Sequence, residues 1–265
     1  RTRAASAPPA LYRSLWADMR VSATAWQRVD TVLRTAECIA ALSMPPEAAP
    51  GRAWFAIGGA RRVVTVVSVG PAGDARLEAF APLPSGPTGP AGRAADARDS
   101  VVAAISAGGW GGWIAVARGC GAGVMRLSVG EAGAKLEVAA WLPQAAESAI
   151  EGLAAQGNAE RPVLVCGDEC GSVSSWRLAP LARLGLEASA PAPADPAAEP
   201  AVWTPLHRAP RAHGSLCSAL VGLSPPVSGK GAAPAALSVT GGHDQLVRVH
   251  ALVPGAAPMT PLSLQ

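Results

Sequence analysis

Residues 241–250 read GGHDQLVRVH, a small-residue turn that leads into a short run of β-favouring residues. The same arrangement recurs at residues 58–67 (GGARRVVTVV), 119–127 (GCGAGVMRL) and 167–176 (GDECGSVSSW). An apolar strand precedes each turn, at residues 54–57, 113–116, 163–165 and 237–240. A strand–turn–strand unit that recurs at long spacing predicts a repeat fold made of β-sheets.

The spacing of the units predicts blades with insertions. The central valines of the second strands are Val64, Val124, Val173 and Val247, which lie 60, 49 and 74 residues apart. A four-stranded propeller blade takes about 40–45 residues, so each unit has room for a blade and an insertion. The insertions are the segments rich in Pro, Gly and Ala, which we expect to form loops: 82–98, 188–200 and 225–234.

The remaining strands are predicted from their pattern of polar and apolar residues. Outer strands tend to alternate polar and apolar residues, as a half-exposed edge does, and inner strands are more uniformly apolar. The predicted inner first strands are 37–42, 100–105, 149–153 and 215–221. The predicted outer strands are 26–33, 76–80, 135–141 and 201–206. In the predicted order, each outer strand is followed by three more strands of its own blade.

This order predicts the organisation of the chain. The predicted units are 25–70, 76–130, 135–178 and 201–253. Residues 1–24 are predicted to be an N-terminal extension or the end of a preceding blade, and residues 254–265 a C-terminal tail.

Composition indicates a folded, intracellular protein. Of the 265 residues, 49% are hydrophobic and 15% charged, which suffices for a core without disulfides or metal. The net charge of +3 is too small to indicate nucleic acid as the main partner, and no apolar run is long enough for a membrane span. Five widely spread cysteines suggest free thiols in a reducing compartment, the cytoplasm or nucleus. An organelle is the alternative, because residues 1–7 have some transit-peptide character.

The fourth unit resembles the WD40-repeat family, whose pattern is a Gly-His before the first strand, a turn Asp and a Trp-Asp closing the third strand. His213-Gly214 is the first dipeptide reversed, Asp244 holds the turn position, and His250 replaces the Trp. The third unit keeps Trp176 but has Cys170 at the turn position. The first two units keep neither feature.

The resemblance covers about residues 25–253 and implies an all-β propeller of four-stranded antiparallel blades, with four readable units in a larger or incomplete ring. It also implies a buried network of His213, Ser238 or Thr240, and Asp244, with the Trp176 indole donating to a Ser or Thr of a neighbouring strand. These implied roles are structural.

Four units are few for a propeller of this kind. The chain is part of a longer protein, or further units are too divergent to detect (residues 11–19 are a candidate), or a partner completes the ring. The first residue is Arg1 rather than Met, which favours the first explanation.

The sequence gives little support for a catalytic site or a metal site. His213 and Asp244 fit a blade-stabilising pair better than a catalytic set, and Cys166 and Cys170 lack the further ligands that zinc needs. We therefore expect no enzyme activity, metal, cofactor or small-molecule substrate. A propeller hydrolase or lyase is a weaker alternative, because the inner strands offer only the carboxylates Glu37 and Glu151.

The predicted function is a non-catalytic scaffold that binds other protein subunits of a multiprotein assembly. Residues 106–113 (SAGGWGGW) suggest a loop with an exposed Trp110, and residues 207–213 form a mildly basic loop. The candidate partner-binding residues are Trp16, Trp110, Trp203, Arg61, Arg62, Arg208 and Arg211. The alternative is an RNA or ribonucleoprotein-binding propeller that uses these arginines together with Arg118.

Overall fold

The computed structural model describes residues 36–44, 51–59, 62–84, 104–106, 110–184, 202–223, 236–252 and 262–264. Sheet 1 comprises β1 (Ala36–Leu42), β2 (Ala53–Gly59), β3 (Val63–Val69) and β4 (Ala75–Pro82). Sheet 2 comprises β5 (Ala104–Ser106), β6 (Trp113–Arg118), β7 (Gly121–Gly130) and β8 (Gly133–Leu142). Sheet 3 comprises β9 (Ile150–Gln156), β10 (Val163–Asp168), β11 (Val173–Leu178) and β12 (Trp203–Ala209). Sheet 4 comprises β13 (Cys217–Leu223), β14 (Ala236–Gly242), β15 (Val247–Leu252) and β16 (Leu262–Leu264).

Each sheet is an antiparallel meander in which neighbours in sequence are neighbours in space. The predicted all-β architecture of four-stranded antiparallel blades is confirmed. Sheets pack in chain order, and among the described residues no extensive contact joins sheet 4 to sheet 1, so no closed ring is seen. The described residues include one helix, α1 (Leu181–Leu184), and hold no helix long and apolar enough to cross a membrane.

The pairing of the outer strands corrects the predicted order of strands within a blade. We expected each outer strand to share a blade with the three strands that follow it, but β4, β8 and β12 pair with the strand before them. For β4 the reason is local: β3 turns back into β4 through a tight turn in which Gly70 N–H donates to Asp74 O (2.9 Å) and Gly73 has φ +81°. Sheets 1 to 3 thus each combine three strands of one predicted unit with the outer strand of the next.

The outer position of sheet 4 is filled from the predicted C-terminal tail. Leu262–Leu264 forms β16 and pairs with β15, with Leu262 opposite Val249. The first predicted outer strand, 26–33, lies outside the described residues. The limits of the predicted units remain predictions.

The core consists of apolar layers between consecutive sheets. Strand β6 shows the period of two that this requires: Ile114 and Val116 pack toward sheet 1, whereas Trp113, Ala115 and Ala117 pack toward sheet 3. A smaller layer between sheets 3 and 4 contains Val163, Val165, Val173 and Cys217. The middle sheets are therefore buried on both faces, which explains the uniformly apolar inner strands.

Two strand glycines in sheet 2 make room for an aromatic ring. Gly123 lies directly opposite Trp141 in the β7–β8 ladder. A Cβ at Gly123 would approach the Trp141 ring to 2.5 Å, and one at Gly121 to 2.7 Å, distances that a side chain cannot adopt. The indole therefore covers backbone that would otherwise lack side-chain packing.

Candidate functional site

A buried polar cluster lies in sheet 4 and joins three segments. Thr240 is in β14, Asp244 is in the β14–β15 turn, and His213 is in the link before β13. The fully buried His213 ring is 2.8 Å from Thr240 Oγ1 through Nε2 and 3.0 Å from Asp244 Oδ1 through Nδ1. The ring thus connects the strand to its turn.

Asp244 is held ionised by the groups around it. Gly214 N–H donates to Oδ2 (2.9 Å), Leu246 N–H donates to Oδ1 (3.2 Å), and Arg248 lies 3.3 Å from Oδ2. The Gly214 N–H contributes most, followed by His213 and Leu246, and these bonds hold the pKa of Asp244 well below its ordinary value. Both carboxylate oxygens of Asp244 thus accept hydrogen bonds from the protein, and these bonds join the turn to the link before β13.

The other two residues of the predicted network lie apart from this cluster. Ser238 is buried in β14, but its Oγ has no hydrogen-bond partner among the residues that the structure describes. Trp176 is in sheet 3, where its Nε1 donates to the backbone oxygen of Ala145 (2.9 Å) rather than to a Ser or Thr. The structure thus brings together His213, Thr240 and Asp244; the blade-stabilising role of the set remains a proposal.

The turn of sheet 3 has the same backbone pattern as that of sheet 4. Asp168 N–H donates to Ser172 O and Gly171 N–H donates to Asp168 O, just as Gly242 N–H and Gln245 N–H bond in the fourth turn. Asp168 therefore stands where sheet 4 has Gly242, and Cys170 stands where it has Asp244. The carboxylate of Asp168 therefore lies two positions earlier in its turn than that of Asp244 does in the fourth turn.

Asp168 is an acidic residue whose significance the sequence analysis missed. Its side chain is almost completely buried (1% exposed), and Oδ1 accepts N–H bonds from Cys170 (3.1 Å) and Ser172 (2.8 Å). Its other oxygen, Oδ2, is buried and has no hydrogen-bond partner in the described part of the chain. An alignment of the third and fourth turns could have revealed Asp168 from the sequence, because it places this acid opposite Gly242.

Asp168 lines a pocket of about 460 Å³ at the edge of sheet 3. The remaining walls are the β8–β9 link at 144–147, Ser172, Ser174 and Trp176 beyond the turn, and β12 at 205–208. Ser174 Oγ and Trp176 Nε1 both donate to Ala145 O, at 2.8 and 2.9 Å, which fixes the link against β11. Glu147 and Arg208 form an ion pair in the same lining.

Two of the tryptophans predicted to be exposed anchors lie in the described residues, and neither is exposed. Trp110 is only 3% exposed, so the prediction that it is an exposed anchor is wrong. Its indole packs in the layer between sheets 2 and 3, and Nε1 donates to Gln156 O at 3.2 Å, so both its apolar and polar parts are satisfied internally. Trp203 is half-buried against the same layer, and Trp16 lies outside the described residues.

The predicted arginine surface is divided between sheets. Arg62 is half-buried at the β2–β3 turn of sheet 1, whereas Arg208 is exposed on β12 of sheet 3 and Arg211 is exposed in the link that follows it; Arg61 is outside the described residues. Arg118, a member of the RNA-binding alternative, is 6% exposed and donates to Pro84 O at 2.6 Å, so it is not an available phosphate contact. The inner-strand carboxylates Glu37 and Glu151 are exposed on different sheets.

All five cysteines are free thiols. Cys166 and Cys217 are buried, and burial raises the pKa of Cys166 to about 12 and that of Cys217 to about 11. Cys38 and Cys120 are half-buried, and Cys170 is exposed in the turn. In the described part of the chain, His, Cys, Asp and Glu form no group of three or more that could hold a metal ion.

Comparison with solved structures places the fold among WD40 propellers. The chain is similar to Saccharomyces cerevisiae Sqt1, with 14% identity and a TM-score of 0.50, over 83% of this chain and 46% of that one. It is equally similar to a chain of the Chaetomium thermophilum polycomb repressive complex 2 (14% identity, TM-score 0.50), over 82% of this chain and 45% of that one. The chain thus spans less than half the length of either structure. No protein-family model and no curated protein matches it.

Proposed function

We propose that this chain is a non-catalytic interaction scaffold, a WD40-like propeller subunit of a larger protein assembly. The observation that carries the proposal is the placement of exposed apolar side chains. Among the described residues, the large hydrophobic side chains that are exposed all lie on the two end sheets: Ile39, Leu77 and Phe80 on sheet 1, and Val221 and Val247 on sheet 4.

Exposed apolar side chains at such positions are typical of surfaces that another protein covers. Ile39 is 64% exposed on the first strand of sheet 1, and Val221 is 57% exposed on the first strand of sheet 4. The first strands of sheets 2 and 3 are instead packed between neighbouring sheets. A partner subunit, or further blades, would cover the end sheets in the same way.

The buried polar chemistry also supports a scaffold. His213 is fully buried and bonded on both ring nitrogens, so a substrate has no access to it. The similarity to a chain of a repressive complex agrees with a subunit role, but it concerns the fold. The free thiols fit a reducing, intracellular location, cytoplasmic or nuclear, which is part of the proposal.

The test is recovery of a stoichiometric complex. The tagged chain is purified from its native source, the associated proteins are identified by mass spectrometry, and the complex is rebuilt from purified components and sized by light scattering. Ile39→Lys and Val221→Lys should each weaken assembly, whereas Ser128→Lys, at an exposed position of sheet 2, should not. A monodisperse monomer that rebuilds no complex would contradict the proposal.

A further inference from the structure

We infer that the pocket at the edge of sheet 3 binds a basic side chain, lysine or arginine, of a partner protein. This inference rests on the proposed scaffold function and adds the chemistry of one contact. It begins with Asp168, which lines the pocket; the residue is only 1% exposed, and its Oδ2 has no hydrogen-bond partner among the described residues. A buried carboxylate oxygen left without a donor destabilises the structure, so a cation that reaches it gains a charge-assisted hydrogen bond.

The hydrogen bonds inside the protein leave that oxygen available. Cys170 N–H and Ser172 N–H both donate to Oδ1, and the turn closes through backbone bonds that do not involve Oδ2. In sheet 4 the corresponding turn has its carboxylate occupied on both oxygens. In the third turn one carboxylate oxygen therefore stays available as an acceptor, whereas in the fourth turn both carboxylate oxygens accept bonds from the protein itself.

The remaining walls suit the stem and the charge of a long basic side chain. Trp176 offers an aromatic ring, and Pro205 and Leu206 offer apolar surface for a methylene stem. The lining contains two carboxylates, Asp168 and Glu147, and one arginine, Arg208, which is paired with Glu147. A volume of about 460 Å³ lies within the roughly 300–1,000 Å³ of ordinary ligand pockets.

The test uses the whole chain and three acetylated, amidated pentapeptides, each with one central residue, arginine, lysine or glutamine, between alanines. Binding is followed by amide chemical shifts in ¹⁵N NMR, with Cys170 and Ser172 as reporters because they donate to Asp168. We expect the arginine or the lysine peptide to shift these amides in a saturable way and the glutamine peptide to bind at least about tenfold more weakly.

Asp168→Asn should reduce that affinity about tenfold or more while keeping an acceptor for the two turn amides. The matched control is Glu137→Gln, which removes one charge from the exposed outer strand of sheet 2 and should leave binding unchanged. In case Asp168→Asn unfolds the protein, Pro205→Lys adds a cation at an exposed position of the lining and should weaken binding. Its control is Thr204→Lys on the neighbouring exposed residue.

The inference is overturned if neither basic peptide binds, if the glutamine peptide binds equally well, or if Asp168→Asn and Pro205→Lys both bind like the wild-type chain. If the peptides fail but a stoichiometric complex is recovered, this inference falls and the scaffold proposal stands. If a basic peptide binds and no complex is recovered, the scaffold proposal falls and the pocket remains a cation site.

Discussion

The turns of sheets 3 and 4 close with the same backbone hydrogen bonds but place their carboxylates two residues apart. In sheet 4, Asp244 binds the link before β13 through Gly214 and the buried ring of His213. In sheet 3, the Asp168 side chain accepts bonds from two amides of its own turn, and within the described ranges its second oxygen has no donor. The position of one acidic residue within a repeated turn thus decides whether its carboxylate contacts the link to the next strand or only the amides of its own turn.

The two turns also differ at the residue with positive φ. Sheet 3 has Gly171 (φ +80°) where sheet 4 has Gln245 (φ +64°). A Cβ at Gly171 would lie 2.3 Å from His213 O and 2.4 Å from Ser215 O, because the link to sheet 4 crosses directly over it. The third turn therefore needs glycine for space as well as for its backbone conformation.

We expect the largest effect from Gly171→Gln, which gives the third turn the residue that the fourth turn has at this position. The substitution should lower the free energy of unfolding by about 4 kcal/mol, because it combines left-handed strain with overlap of two backbone oxygens. The control is Gly73→Ala, with φ +81° and no atom within 4 Å of a Cβ, which should cost about 1 kcal/mol. Urea denaturation measures both, and equal losses would contradict the steric explanation.

The next effect is that of His213→Ala, which removes the ring that links strand, turn and sheet. The variant loses two hydrogen bonds and leaves a cavity at a fully buried site, so we expect about 3 kcal/mol of destabilisation. His243→Ala, at an exposed residue of the same turn, should change stability by no more than about 0.5 kcal/mol. If both variants unfold at the same urea concentration, the buried cluster does not stabilise sheet 4.

Asp244→Asn should have a smaller effect that depends on pH. The folded pKa of Asp244 lies below its ordinary value of 3.8, chiefly because Gly214 N–H binds the ionised form. Its contribution to stability is therefore fully present above about pH 5 and is lost as the pH falls through 3.8 and below. Asp244→Asn should flatten the fall of the urea midpoint between pH 5 and pH 3.

Glu137→Gln, at an exposed position, serves as the control for this pH dependence and should follow the wild-type curve. A variant curve for Asp244→Asn that is parallel to that of the wild-type chain at every pH would show that the carboxylate does not stabilise the fourth turn through its charge.

The smallest effect concerns the thiol that occupies the Asp244 position in the third turn. Cys170 is exposed, whereas burial raises the pKa of Cys166 to about 12 and that of Cys217 to about 11. A thiol reagent at pH 8 should therefore modify Cys170 first in the folded protein and reach the buried thiols only on unfolding. Cys170→Ser should remove the fast phase and leave stability unchanged within about 0.5 kcal/mol. Fast modification of Cys166 would contradict the described burial.

The hairpins were predictable from sequence because their determinants are local. A glycine-rich turn between two apolar runs at 163–176 determines a hairpin whatever surrounds it, and β10 and β11 lie where that pattern predicts them. The sheet that an outer strand joins cannot be predicted from its own alternation of polar and apolar residues. For β4 it depends on the tight turn after β3, and β8 and β12 likewise pair with the strand before them.

The site was less predictable because burial depends on contacts between sheets. Trp110 follows two glycines and has the sequence context of an exposed loop, yet sheets 2 and 3 enclose it. Asp168 lies between two cysteines in sequence, and nothing local indicates that one of its oxygens lacks a donor. His213 and Asp244 were recognisable because the resemblance relates residues that are distant in sequence.

The contact of Trp141 with Gly121 and Gly123 has a consequence for how such chains evolve. A Cβ at Gly123 would lie 2.5 Å from both the Trp141 ring and the Ala140 carbonyl oxygen, and one at Gly121 would lie 2.7 Å from the ring, so both positions need glycine while the facing residue is an indole. Among relatives of this chain, a Gly-x-Gly on the third strand should therefore occur together with an aromatic residue on the fourth. The pair can mark a blade in a sequence that has lost the familiar Trp and Asp.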